Sequence, residues 1–511
     1  VYGGTAMDEG KSVRQTYDGG YIVAGTTTSY GAGGRDILVV KTNSIGDTSW
    51  VKTFGGSTDN EYGFCIQQTA DSGYVVSGVA SSFDDVSGDM YVIKLKPNGD
   101  STWTRTYGGI GYEWGAYIQQ TADNGYILIG QTPAYGAGGF DAYLVKLNVN
   151  GDISWTKTFG GSGLEIGSAV SQTTDGGYIL TGQIDTYGAG SSDFYLIKTD
   201  AVGNVVWTKA YGIAGTESGV SVQQTTDGGY IIAGTSEDQL GPLGPDMCLI
   251  KTNAVGDTLW AKLYGGPMID ECYEVRQTTD GGYVLVGKSF SFSTLGDYDV
   301  YVVKVNSSGV VQWSRAYGSS SNGTANEIGN SIRQTKDGGY IITGESMFSF
   351  GVGLKNMYLI KTDSLGKSGC YESTPATISS NYRPAVIAPP TLVSTGGEMK
   401  MPLTLEGSGT TQTNLCLNVV SQTFHIENEV SLDLYPNPFE RDVALFVNKD
   451  LLLKSIQILD VSGRIIWVKQ FSSQLKHSTK IEISLSELKS GIYACRVETD
   501  NGVMVKKIVK Q

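Results

Sequence analysis

The stretch Gln224-Thr225-Thr226-Asp227-Gly228-Gly229-Tyr230-Ile231-Ile232-Ala233-Gly234 decides the fold. Asp-Gly-Gly supplies small residues that tolerate positive φ, a strong signal for a tight hairpin. Downstream, Tyr, Ile and Gly fall on one face of a strand, with Ile and Ala on the other. Upstream, Ser221-Val222-Gln223-Gln224-Thr225 reads as the partner strand. The string QT-x-D-x-G-Y then recurs, beginning at Gln15, Gln68, Gln120, Gln172, Gln224, Gln277 and Gln334. Seven copies at a nearly constant period mean one supersecondary unit made seven times.

Each unit contains two further strands. The third is Asp-x-Tyr-Leu-Ile-Lys, as in Asp193–Lys198, reached through a loop of ten or eleven residues. A Gly-Asp turn such as Gly151-Asp152 leads to the fourth, Trp155-Thr156-Lys157-Thr158-Phe159. No segment keeps a helical period. Four antiparallel strands in about 50 residues make the blade of a β-propeller. The expected fold is therefore all-β: a seven-bladed propeller over 1–367, then a linker over 368–430 and a small Ig-like β-sandwich over 431–511.

The layout resembles kelch-type propellers and secreted propellers built on QTxDGGY repeats. That resemblance covers roughly residues 1–367 and implies a fold rather than an activity, because a propeller hosts many functions. The tryptophan strand appears six times, at Trp50, Trp103, Trp155, Trp207, Trp260 and Trp313. The seventh unit lacks it, whereas Val1-Tyr2-Gly3-Gly4 matches the end of such a strand. One incomplete blade is expected, finished from the N-terminus, with a signal peptide and the rest of that strand encoded upstream of Val1.

Positions shared by all units read as scaffold. They are the turn aspartates (Asp18, Asp71, Asp123, Asp175, Asp227, Asp280, Asp337) and the third-strand lysines (Lys41, Lys94, Lys146, Lys198, Lys251, Lys304, Lys361). An acid also stands seven residues before each Gln: Asp8, Glu61, Glu113, Glu165, Glu217, Asp270 and Glu327. Seven acids spread around a ring are too far apart for calcium, which packs six to eight oxygens at about 2.3–2.6 Å. Each is expected to accept hydrogen bonds from its own inter-blade loop or to pair with a Lys. Asp36, Asp89, Asp141, Asp193, Asp246 and Asp299, with Asn356 in the last unit, are expected to fix the loop entering the third strand.

Catalytic chemistry is sparse. The two histidines, His425 and His477, both lie outside the propeller, which removes His-dependent acid–base, nucleophile and metal systems from it. No P-loop or CxxC pair occurs. The Gly-rich string Tyr135-Gly136-Ala137-Gly138-Gly139 recurs at Tyr30 and Tyr187 as loop geometry, with no helix to follow it. Neither cofactor nor metal is expected, and the reading is non-catalytic. A polysaccharide-acting enzyme with a carboxylate pair stays open as the alternative, as does a purely structural interaction propeller. The net charge of −14 argues against nucleic acid and anionic membrane surfaces. No apolar run reaches the ~18–20 residues of a membrane helix.

Binding should lie where the repeats differ. Tyr112, Trp114 and Tyr117 cluster around one inter-blade connection, with Tyr62 and Phe64 around the preceding one. Tyr135 and Tyr187 sit in loops, as do Phe290, Phe292, Phe348 and Phe350. Aromatics with acidic neighbours suit stacking on sugar rings or anchoring a protein partner; alternatively they cover blade edges. Tyr62, Tyr112, Trp114, Tyr117, Tyr135 and Tyr187 are the candidate site residues, for a glycan or a surface protein. A monomer is expected.

Near residue 430 the charge changes sign. Residues 431–511 carry twelve Lys/Arg and nine Asp/Glu, so the rest of the chain is strongly acidic. Cys65, Cys248 and Cys272 stand where other repeats have Tyr, Ala or Gly and read as unpaired and packed. Cys370 and Cys416 bracket a Pro/Thr/Ser/Gly-rich stretch and could bridge in an oxidising compartment. About seven short strands follow in the last eighty residues. This block resembles the type A C-terminal sorting domain of the type IX secretion system. The resemblance rests on Tyr435-Pro436-Asn437-Pro438, the turn at Gly463, Ser490-Gly491-Ile492-Tyr493 and the closing Lys506-Lys507. It implies the type IX machinery as partner, export across an outer membrane, and a product released outside the cell or held at its surface.

Overall fold

The computed structural model describes residues 1–83, 88–237, 244–293, 296–318, 325–348, 350 and 353–389. Short strands between 392 and 412 and most of 432–510 are also described. The described residues are all-β, with no helix. Two compact units result, Val1–Thr413 and Asn414–Gln511.

In the first unit each sequence repeat makes one antiparallel sheet, numbered here 1 to 7 along the chain. Sheet 4 shows the pattern: Glu165–Gln172, Tyr178–Ile184, Asp193–Thr199 and Val205–Gly212 pair in sequence order. The first strands of the other sheets begin at Asp8, Glu61, Trp114, Glu217, Asp270 and Asn326. In sheet 7 the place of a fourth strand is taken by Tyr2–Gly3, with Tyr2 opposite Met357. Residues 368–385 build no fourth strand there, in keeping with completion from the N-terminus.

Adjacent sheets share their cores. Phe194, Leu196 and Tyr211 of sheet 4 pack on Val222, Ile232 and Ile250 of sheet 5. In the same way Ile341 and Met357 of sheet 7 pack with Val13, Val23 and Leu38 of sheet 1. Each fourth-strand tryptophan meets the GGY tyrosine of the next sheet, as in Trp155–Tyr178 and Trp207–Tyr230, both 5.9 Å apart and near edge-on. That contact, worth about 1 kcal/mol beyond burial, explains why both residues repeat.

The repeated polar residues bind locally. Lys198 is buried and reaches Asp175 at 2.9 Å and the Thr199 carbonyl at 2.7 Å, and all seven lysines pair with their turn aspartate in this way. Glu61 accepts from the Gly56 and Ser82 amides, and Asp270 from the Gly266 amide and the Ser291 hydroxyl. Asp141 and Asp193 accept from Ala137 and Ala189 in the loop entering the third strand. These are the loop-fixing roles that the repetition suggests.

Every first strand carries a β-bulge at the same register, between Gly167 and Ala169 in sheet 4 and between Gly63 and Cys65 in sheet 2. The extra residue bends the strand and re-aims a side chain. Opposite the bulge the second strand needs glycine, because a Cβ on Gly182 would lie 1.7 Å from the Ile166 carbonyl oxygen.

The stretch 368–430, read as a linker with a loose strand or two, behaves differently as far as residue 412. It supplies a fifth strand to every sheet in turn. Glu372–Ser373 adds to sheet 6, Ile378–Asn381 to sheet 5, Ala385–Ile387 to sheet 4 and Leu392–Ser394 to sheet 3. Glu398–Lys400, Leu405–Gly407 and Thr411–Gln412 continue on sheets 2, 1 and 7. Pro/Thr/Ser/Gly composition hid this because such strands bind through the backbone and need little apolar surface. Cys65, Cys248 and Cys272 are buried thiols outside any disulfide. Cys370 is disulfide-bonded, and Cys416 lies outside the described residues.

The second unit has two sheets. One joins Leu432–Tyr435, Asp442–Val447 and Thr479–Ser484; the other runs Ile465–Leu475, Leu451–Leu459, Gly491–Thr499, Gly502–Lys510. They share a core that includes Leu453, Ile456, Ile483, Leu485 and Val497.

Candidate binding site

Residues of all seven first strands border one cavity of about 130 Å³. The bulge builds it, since the bulged residues Lys11, Phe64, Ser168, Val220, Tyr273 and Asn330 all line it. The scaffold places one side chain per repeat here, and no two repeats carry the same residue at the bulge.

On sheets 2 and 3 that variation is aromatic. Trp114 packs against Phe64 at 4.9 Å, Tyr112 at 5.4 Å and Tyr62 at 5.7 Å between ring centroids. Tyr62 and Phe64 lie nearly parallel at 6.4 Å. The Arg35 guanidinium sits over the Tyr62 ring at 5.4 Å. All four rings are half-buried. Burial, and then Tyr62, push the Tyr112 phenol up to about 12, so it stays a neutral donor.

On sheet 1 the equivalent positions, Glu9 and Lys11, are ionic, and they meet Glu345 and Lys355 on the second and third strands of sheet 7. Lys11 bridges Glu9 and Glu345 at 3.0 and 3.3 Å, and Lys355 bridges the same two acids at 3.0 and 3.1 Å. Burial alone would raise the Glu9 carboxyl, but Lys11 and Lys355 hold it at about 2.

Further along the same strands lies a basic group. Glu274, buried, pairs with Arg276 and Arg333 at 2.5 Å each. The Tyr117 hydroxyl accepts from Arg276 at 3.2 Å and from Arg14 at 3.5 Å. The three guanidiniums hold the Glu274 carboxyl far below its ordinary range despite its burial. For Arg333, burial and then repulsion from Arg14 and Arg276 lower the pKa to about 10.

The candidate residues therefore divide. Tyr62, Tyr112 and Trp114 come together with Phe64. Tyr117 leaves that group, because the bulge between Gly115 and Tyr117 turns it to the cavity and the arginines. Tyr135 donates to the Gly108 carbonyl at 3.2 Å and packs on Tyr143, and Tyr187 packs on the core shared by sheets 3 and 4. Phe290, Phe292 and Phe350 likewise pack on Tyr298, Tyr301 and Tyr358. Sequence reasoning missed Arg14, Arg276 and Arg333, although a signal existed: the residue before QTxDxGY is Gln in units 2, 3 and 5, and Arg in these three.

In the second unit Tyr435, Gly491, Lys506 and Lys507 lie in strands, and Tyr493 packs on the core. Pro436, Asn437, Pro438 and Gly463 lie outside the described residues.

No curated protein matches the chain. Among solved structures it is similar to PorZ of Porphyromonas gingivalis, described as an essential bacterial surface component of the type-IX secretion system. The identity is 9%, covering 98% of this chain and 81% of that one, with a TM-score of 0.28. Two other likenesses are the E. coli alpha-2-macroglobulin (9% identity, 93% and 28% covered, TM-score 0.14) and the C. elegans fusion protein EFF-1 (8%, 99% and 96%, 0.11). At these scores none carries an argument about fold or function. The family comparison is specific: residues 433–511 match the secretion system C-terminal sorting domain. The C-terminal unit is thus a sorting domain of that family, which implies export to the cell surface through the type IX secretion machinery.

Proposed function

We propose that residues 1–413 form a closed seven-bladed propeller of kelch-like layout. Exported by its sorting domain, it acts at the cell surface as a non-catalytic module that binds a glycan. Closure is supported by the succession of shared cores, which continues from sheet 7 to sheet 1, and by the one cavity that all seven first strands border. The observation that carries the binding role is the convergence of Tyr62, Phe64, Tyr112 and Trp114. Four rings at van der Waals contact offer a rigid apolar platform with phenolic hydroxyls at its edge, a combination that suits the apolar face and hydroxyls of a sugar. The Lys11–Glu9–Glu345–Lys355 network adds hydrogen-bonding groups on sheets 1 and 7. A glycan array on the purified chain tests this. Trp114→Ala is expected to weaken binding of any retained glycan at least about tenfold, the effect of losing a central aromatic anchor. Unchanged binding in W114A, or glycan hydrolysis that depends on one carboxylate, would remove the reading.

A further inference from the structure

We infer that the cavity end lined by Arg276 and Tyr117, where Arg14 donates to the Tyr117 hydroxyl, is a binding site for an oxyanion: a carboxylate, sulfate or phosphate group. Three guanidiniums gather there, on sheets 1, 6 and 7, around the single carboxylate of Glu274. Among the described residues Arg14 makes no direct salt bridge and acts on Glu274 only at longer range, behind Arg276 and Arg333. It donates instead to the Ser12 hydroxyl, the Val13 carbonyl and Tyr117. The Arg276 Nε is buried with no hydrogen-bond partner among the described residues, and Arg276 itself lines the cavity. Enclosed positive charge that outnumbers its counter-charge is costly, and a planar guanidinium matches two oxygens of an oxyanion at once. Burial first, and then repulsion from Arg14 and Arg276, lower the proton affinity of Arg333.

The fold does not require these arginines. Units 2 and 3 carry Gln67 and Gln119 at the same position, and each side-chain carbonyl accepts a backbone amide of the next sheet at 2.7 and 2.8 Å. Arginine on three adjoining sheets replaces that neutral link with enclosed charge, which is the cost of a site rather than of a scaffold. Phe64 borders both this cavity and the aromatic group, so an acidic substituent of a bound sugar is one source of the oxyanion and a free inorganic ion another. The site itself stands without the glycan reading.

The test is calorimetric titration of the full chain with sulfate, phosphate and glucuronate against chloride at constant ionic strength. Saturable binding of at least one oxyanion is expected, with chloride inert. Arg14→Gln installs the residue of units 2, 3 and 5 and leaves Glu274 its two partners. It should weaken binding at least tenfold with melting little changed, and Tyr117→Phe several-fold. W114A should keep oxyanion binding, which separates failure here from failure of the glycan reading. Equal binding of inorganic ions and glucuronate assigns the site to free ions, and glucuronate alone assigns it to acidic sugars. Oxyanions no better than chloride, or R14Q and Y117F that bind like the parent protein, would overturn the proposal.

Discussion

At five junctions between sheets, two acids approach the glycine that ends a fourth strand. A Cβ on Gly160 would lie 1.9 Å from Asp141 Oδ1 and 2.6 Å from Glu165 Oε2, and Gly55 stands likewise between Asp36 and Glu61. Burial first, and then the neighbouring acid, raise Asp36 and Asp141 to about 6. The folded state thus favours the protonated form. Stability from such a group is fully present below the ordinary aspartate range and is lost as pH rises through about 6. At the seventh junction the partner of Asp8 is Asn356, a neutral relative of the same shape. Asp141→Asn should therefore match the parent protein near pH 4 and exceed it at pH 8 by about 1–3 kcal/mol, read from urea unfolding at both values. A variant weaker at both would show that Asp141 is needed as an acid. The repeated acids and their loop-fixing roles were legible in the sequence because every repeat restates them. Their pairing was not, since Asp141 and Glu165 belong to different repeats and meet only through packing.

Among the elements, the strand that visits all seven sheets departs furthest from its composition. Its links are backbone pairings plus a few hydroxyl contacts, such as Thr208 to the Pro389 carbonyl at 2.8 Å and Ser314 to the Pro375 carbonyl at 3.0 Å. One side chain is different. Tyr382 is buried in the core shared by sheets 4 and 5, and its amide donates to the Ala261 carbonyl at 2.9 Å. It interrupts a stretch whose neighbours Val386 and Ile387 are exposed. Tyr382→Ala should cost about 3 kcal/mol of local stability. Hydrogen exchange should accelerate over Ile378–Ile387 while the central strands keep their protection. Uniform acceleration would mean that the outer strand and the sheets unfold as one. The four inner strands could be read from period and turn chemistry, whereas this one has neither.

For the molecule as a whole, the two compact units divide the labour. The first carries the variable cavity and the second carries the address. Deleting residues 431–511 is expected to leave a folded protein, with one cooperative melt near that of the full chain, that no longer reaches the cell surface. Fractionation with calorimetry checks both halves of the statement, and surface export of the truncated chain would show that the sorting domain is dispensable. By itself the sequence determined the all-β class, seven units of four strands and the sorting domain, because each rests on local periodicity and short motifs that a chain carries before it folds. Tertiary structure alone decided which variable residues meet. The bulge sends Tyr117 to the arginines and leaves Trp114 with Phe64, and no spacing along the chain encodes a convergence of side chains from different sheets. Tertiary structure also decided the fifth strands, because an unpaired sheet edge accepts any backbone that can reach it.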